Sequence, residues 1–70
     1  MTTEELKLAA RRRLPVTVDV RRYDRITAVR WYLDRYGGEK LQAELVFERS
    51  GGDVVEYADP AKVEVIDGKL

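Results

Sequence analysis

Tyr23-Asp-Arg-Ile-Thr-Ala-Val-Arg-Trp-Tyr-Leu-Asp-Arg-Tyr36, then Gly37-Gly38-Glu39-Lys40, then Leu41-Gln-Ala-Glu-Leu-Val-Phe47 is the stretch whose reading decides the fold. Its second half alternates with period two. Leu41, Ala43, Leu45 and Phe47 fall on one side and Gln42, Glu44 and Glu48 on the other, the pattern of a half-buried strand. Its first half admits two readings. As a strand, Val29, Trp31 and Leu33 share one face and Ala28, Arg30, Tyr32 and Asp34 the other. As a helix over 25–36, Ile26, Val29, Leu33 and Tyr36 line one face, with Asp24 as cap and Gly37 as stop. The β-branched and aromatic content favours the strand. A sequential antiparallel partner is also the simplest neighbour for 41–47. The expectation is a long hairpin in which residues 25–36 pair with 39–49 across Gly37-Gly38, with Leu45 central to the core.

Outward from the hairpin, the chain divides into short elements. Thr2 and Glu5 have capping-box spacing. They open a helix over 3–13 that carries acids in its first turn and Arg11-Arg12-Arg13 in its last, matching the helix dipole. Leu6, Ala9 and Ala10 give it a narrow apolar stripe, and Pro15 stops it. Val16-Thr-Val-Asp-Val20 reads as a strand with its three valines on one side, and Arg21-Arg22 continues or turns it. Arg49-Ser50-Gly51-Gly52-Asp53 is a second tight turn. Val54–Tyr57 is a short strand, Asp59 caps a single turn begun by Pro60, and Val63–Ile66 is the last strand. Asp67–Leu70 reads as a polar tail.

One helix over 3–13 and five short antiparallel strands over 15–67 make a single mainly β domain. The expected fold class is a small five-stranded SH3-like barrel with an N-terminal α-helix. Closing the sheet buries one face of every strand and removes long edges. The alternative is an α+β domain with a second helix at 25–36.

Composition narrows the functional classes. The chain has 70 residues, no Cys and no His. A domain this short buries only about 60% of its unfolded surface, so its core must be compact. Nucleophile systems built on Ser–His or Cys–His, and metal sites built on imidazole or thiolate, are excluded by residue type. No signal peptide or membrane-length apolar run is seen, which points to a soluble, cytoplasmic protein. The 13 basic and 13 acidic residues balance, but unevenly: 1–36 carries nine basic and five acidic groups, and 37–70 four basic and eight acidic. The bland account is pairing between Arg-rich and Glu-rich strands.

The pattern Leu14-Pro-Val, Tyr23-Asp-Arg-Ile-Thr-Ala, Leu41-Gln-Ala-Glu-Leu and Asp53-Val-Val-Glu-Tyr-Ala-Asp-Pro-Ala-Lys-Val63 resembles small phage- and prophage-encoded proteins of Gram-positive bacteria. The resemblance implies a small β-rich protein of the kind that binds host proteins, anti-CRISPR inhibitors being one class. No catalytic residue carries over with it. The high charge without His or Cys also suits a designed relative.

No enzyme is expected, and no cofactor or metal. Asp53, Glu56 and Asp59 are close in sequence, but acids in turns are usually solvated or capping. Gly51-Gly52 lacks the Lys-Ser/Thr and helix of a phosphate loop. The candidate binding residues are Arg11, Arg12 and Arg13 as an exposed anion contact, and Arg30 and Tyr32 as a rigid strand face. Trp31 is expected in the core and Tyr32 outside it. The functional expectation is a non-enzymatic protein-binding module, with a phage-type inhibitor of a bacterial defence effector as one form. The alternatives are a nucleic-acid-binding small barrel using the Arg-rich half, against which neutral net charge counts, or a structural or designed barrel with no separable activity.

Overall fold

The structure, a computed structural model, describes residues 1–66. The expected polar tail and the last residue of the expected barrel, Asp67, lie outside the described residues. Helix α1 (Thr3–Arg11) opens on the capping box: the Glu5 amide donates to Thr2 Oγ1 at 3.2 Å, and the Thr2 amide donates to Glu5 Oε1 at 2.9 Å. Two residues shorter than expected, the helix ends in a Schellman turn. The Leu14 amide donates to the Ala9 carbonyl and the Arg13 amide to the Ala10 carbonyl, with Arg13 left-handed at φ 53°. That position normally holds glycine.

Strand β1 (Val16–Val18) ends earlier than the valine alternation suggests. Asp19, at φ 55°, and Val20 make a two-residue turn, so β2 (Arg21–Tyr23) folds back with Val18 opposite Arg21. Val20 is therefore 99% exposed rather than buried beside Val18. The long hairpin follows as β3 (Arg25–Leu33) and β4 (Glu39–Phe47). The strand reading of 25–36 holds through Leu33, and the second helix does not form. The turn is built on Asp34. The Gly37 amide returns to the Asp34 carbonyl at 3.0 Å and the Asp34 amide donates to the Gly38 carbonyl at 2.9 Å. Gly37 takes φ 79°, the left-handed third position of a three-residue hairpin loop. A bulge between Ile26 and Ala28 brings Ile26 onto the face of Val29.

β5 (Val54–Ala58) pairs with β4, and a 3-10 turn (Pro60–Lys62), capped by Asp59 Oδ1 accepting from the Ala61 amide at 3.0 Å, leads into β6 (Val63–Val65). The strands form two antiparallel sheets of three, ordered β2-β1-β6 and β3-β4-β5. The fold is thus mainly β with one N-terminal helix, and the strand pairings do not by themselves show a closed five-stranded barrel. There are six strands rather than five because the turn at Asp19-Val20 makes Arg21–Tyr23 a strand of its own. Leu6 and Ala9 of α1 pack against Val16, Tyr23, Ile26, Ala43, Leu45 and Val63, all buried. Leu45 is fully buried, as the alternation predicts.

Candidate protein-binding site

The core face of the β3-β4-β5 sheet is only partly covered. Cross-strand pairs share a face, so Val29 with Ala43 and Trp31 with Leu41 lie on the side that packs against α1. Ala43 is buried there. One pair further toward the turn, the cover stops: Trp31 is 58% exposed, Leu33 55% and Leu41 40%. This corrects the expectation that Trp31 belongs to the core. Its face is the core face, but more than half of its side chain stays exposed. Tyr32, chosen as the exposed aromatic, is half-buried instead.

The same end of the hairpin is open at its edge. β5 pairs with β4 from Phe47 back to Ala43, where Ala58 is the last partner. The chain then turns away through Asp59 and Pro60. Residues Glu39–Gln42 of β4 keep β3 on one side and have no strand on the other among the described residues. A cleft of about 780 Å³ occupies that place. Its floor is Glu39–Gln42 with Trp31 and Tyr32, its end wall is Tyr57–Ala61, and Met1–Thr3 close one side. The Met1 amino group donates to the Pro60 carbonyl at 2.7 Å and ties that wall to the start of the helix.

The residues singled out from sequence fall in different places. Arg11, Arg12 and Arg13 are exposed at the C-terminal end of α1 and make no ion pair among the described residues. The cleft lies at the other end of α1, beside Thr2 and Thr3. Arg30 is on the outer face of the sheet, opposite α1, with its guanidinium 5.3 Å from the Tyr57 ring centroid. Tyr32 is on that outer face too and borders the cleft. The structure therefore brings Arg30 and Tyr32 onto one face beside Tyr57 and separates them from the Arg triplet. Sequence reading missed Leu41 and Tyr57 as site residues. The signal available was the length difference between 39–47 and 54–58, which leaves part of the longer strand without a partner.

A second concavity, about 340 Å³, lies between Arg21, Arg22, Tyr23, Phe47, Arg49, Val54 and Glu56. Its polar groups are largely engaged with one another. Tyr23 Oη donates to Glu56 Oε2 at 2.7 Å, and Arg21 Nη1 donates to both Glu56 oxygens at 3.2 and 3.4 Å. The Tyr23 hydrogen bond, with help from Arg21, holds the Glu56 carboxyl below its ordinary range. The same bond, donated to a carboxylate, pushes the Tyr23 phenol up. Arg49 lies 5.1 Å from the Phe47 ring centroid. Arg21–Glu56 and Arg25–Glu48 both join the basic half of the chain to the acidic half, which accounts for part of the charge segregation. Among the described residues, Asp53, Glu56 and Asp59 do not come together as a cation-binding group. No helix among them is long and apolar enough to cross a membrane.

Comparison with protein-family models, with characterised proteins and with solved structures finds no match for this chain.

Proposed function

We propose that the protein is a non-enzymatic protein-binding module whose site is the open end of the β3–β4 hairpin. The observation that carries this is Trp31, exposed beside Leu33 and Leu41 on a face that elsewhere forms the core. Exposed apolar surface next to polar groups marks an interaction site, and tryptophan and tyrosine dominate the binding energy of such sites. Lys40, Tyr32 and Tyr57 supply a polar and aromatic rim. The Arg11–Arg13 triplet, at the far end of α1, acts on encounter rate rather than on the contact itself. The two sheets are the halves of one SH3-like barrel on this reading, with β2 and β3 as a single bent strand. The Asp24 amide bond to the Val46 carbonyl at 2.8 Å, at the junction of β2 and β3, supports that continuity.

The test places a photo-crosslinking side chain at position 31 and, as control, at position 20. The first partners to try are bacterial defence effectors, the class implied by the resemblance. A purified partner that crosslinks at 31 and not at 20, and loses about tenfold or more in affinity with Trp31→Ala, is the expected result. A gel shift of nucleic acid that fades with salt, unaffected by Trp31→Ala and lost with alanine at Arg11, Arg12 and Arg13, would replace this reading with nucleic-acid binding.

A further inference from the structure

We infer that the cleft is a vacant strand position, and that the protein takes an extended segment of its partner there by β-strand addition, next to β4 and in line with β5. This rests on the protein-binding reading and specifies how the site works. The argument starts from backbone parity. The Asp34 amide bond to the Gly38 carbonyl makes 34 and 38 a hydrogen-bonded pair. In an antiparallel ladder such pairs alternate with non-bonded ones. With Tyr32 opposite Lys40 and Arg30 opposite Gln42, residues 40 and 42 direct their amides and carbonyls to β3. Glu39 and Leu41 direct theirs the other way, into the cleft, where no strand meets them among the described residues.

Strand addition also explains why the cleft is lined from both faces of the sheet. A surface pocket on one face would not contain both Trp31 and Tyr32, which are adjacent on a strand and point to opposite sides. A slot beside the edge of a strand contains both. Four residues opposite Glu39–Gln42 span about 14 Å at roughly 3.4 Å each.

The side chains state the chemistry of the occupant. A residue opposite Leu41 lands on the core face, against Leu41 and Trp31, and must be apolar. The next one projects to the outer face beside Lys40, which makes no ion pair among the described residues. An acidic residue fits there as a cross-strand partner. The occupant is therefore an extended partner segment, antiparallel to β4, with apolar and acidic residues alternating.

The probe is the capped peptide acetyl-Thr-Leu-Glu-Val-Thr-amide, added at millimolar concentration to the full chain labelled with nitrogen-15. Expected are amide shift changes centred on Glu39–Gln42, slowed exchange of the Leu41 amide and a change in Trp31 fluorescence. Methylating the peptide leucine nitrogen, the donor to the Leu41 carbonyl, abolishes these changes. Methylating the glutamate nitrogen, which faces away, does not. Lys40→Glu reverses the preference between this peptide and its lysine counterpart, by roughly two- to fivefold each way. No perturbation in the cleft overturns the inference. Equal binding by both methylated peptides overturns it as well, because contact is then through side chains alone, while the protein-binding reading survives. A dimer by sedimentation that no peptide dissociates assigns the edge to a second copy and overturns the partner segment.

Discussion

Leu45 and Leu41 offer one deletion made twice on the same strand and face, four residues apart. Leu45 is fully buried under α1 among Leu6, Ala9, Val16, Ile26 and Val63, whereas Leu41 is 40% exposed at the open end. Truncating a buried leucine to alanine costs about 2–5 kcal/mol, the transfer term plus the cavity left behind. At roughly 0.05–0.15 kcal/mol per residue, a 70-residue domain has a total stability of about 3.5–10 kcal/mol. Leu45→Ala therefore removes a large share of it and lowers Tm by at least about 8 °C, at roughly 4–8 °C per kcal/mol. Leu41→Ala leaves no closed cavity and should cost under about 1 kcal/mol. Urea unfolding followed by far-ultraviolet circular dichroism measures both. Trp31 is a poor reporter because it is already exposed in the folded state. If Leu41→Ala costs as much as Leu45→Ala, the open end is covered in solution, and the site proposed there is wrong.

Arg13→Gly should stabilise the protein. A left-handed L-residue costs about 1–2 kcal/mol, and the added chain entropy of glycine takes back roughly 0.5–1 kcal/mol. A rise in Tm of a few degrees is the expected reading, and a fall would mean that the Arg13 side chain contributes more than its backbone costs. Gly37→Ala should do the reverse, losing about 1 kcal/mol by forcing a Cβ into φ 79°; an unchanged urea midpoint would contradict the turn. Stability should also decline in acid. Glu5, Asp34 and Glu56 are held below their ordinary values of 4.5, 3.8 and 4.5 by Thr2, by the Gly38 and Tyr36 amides, and by Tyr23 respectively. Their contribution is complete above those ordinary values and is lost as pH falls through the lowered folded ones. Urea midpoints measured from neutrality to pH 3 should drop at the acid end, less steeply in Asp34→Ala; a midpoint that rises on acidification refutes the assignment.

Elements that local chemistry determines were legible in the sequence. The capping box, a hairpin turn at Gly37-Gly38, the Asp59-Pro60 turn and the alternation of 41–47 each rest on residues within a few positions of one another, although the hairpin turn starts at Asp34, inside the stretch expected to be extended. Features that depend on distant contacts were not. The bulge at Thr27 moves Ile26 to the face of Val29, which strict alternation places on opposite sides. Thr27 Oγ1 meets Glu44 Oε1 at 2.7 Å, a partner 17 residues away in the chain. Val20 continued the valine alternation, yet the need for β2 to pair back on β1 put it in the turn. Of the candidate site, Arg30 and Tyr32 were placed on the correct common face. The exposure of Trp31 was missed because periodicity assigns a side chain to a face and says nothing of whether anything lies over it.

The open end follows from element lengths. β3 and β4 are nine residues each and reach about 30 Å at roughly 3.4 Å per residue. α1 is also nine residues but only about 13.5 Å long, because a helix rises 1.5 Å per residue. β5, with five residues, reaches about 17 Å. Neither the cover on the face nor the partner at the edge can extend along the whole hairpin, and both fall short at the turn end. Hence, among the described residues, a partly covered apolar face and an unpaired backbone edge meet at Leu41. An edge of this kind invites non-specific pairing, which charged side chains and short length oppose. Glu39 and Lys40 are charged, and of Glu39–Gln42 only Glu39 and Leu41 direct backbone groups into the cleft, unpaired among the described residues. That is too short to template a sheet, yet long enough to align a segment whose side chains match Leu41, Trp31 and Lys40. Selectivity would then come from the side chains and direction from the backbone.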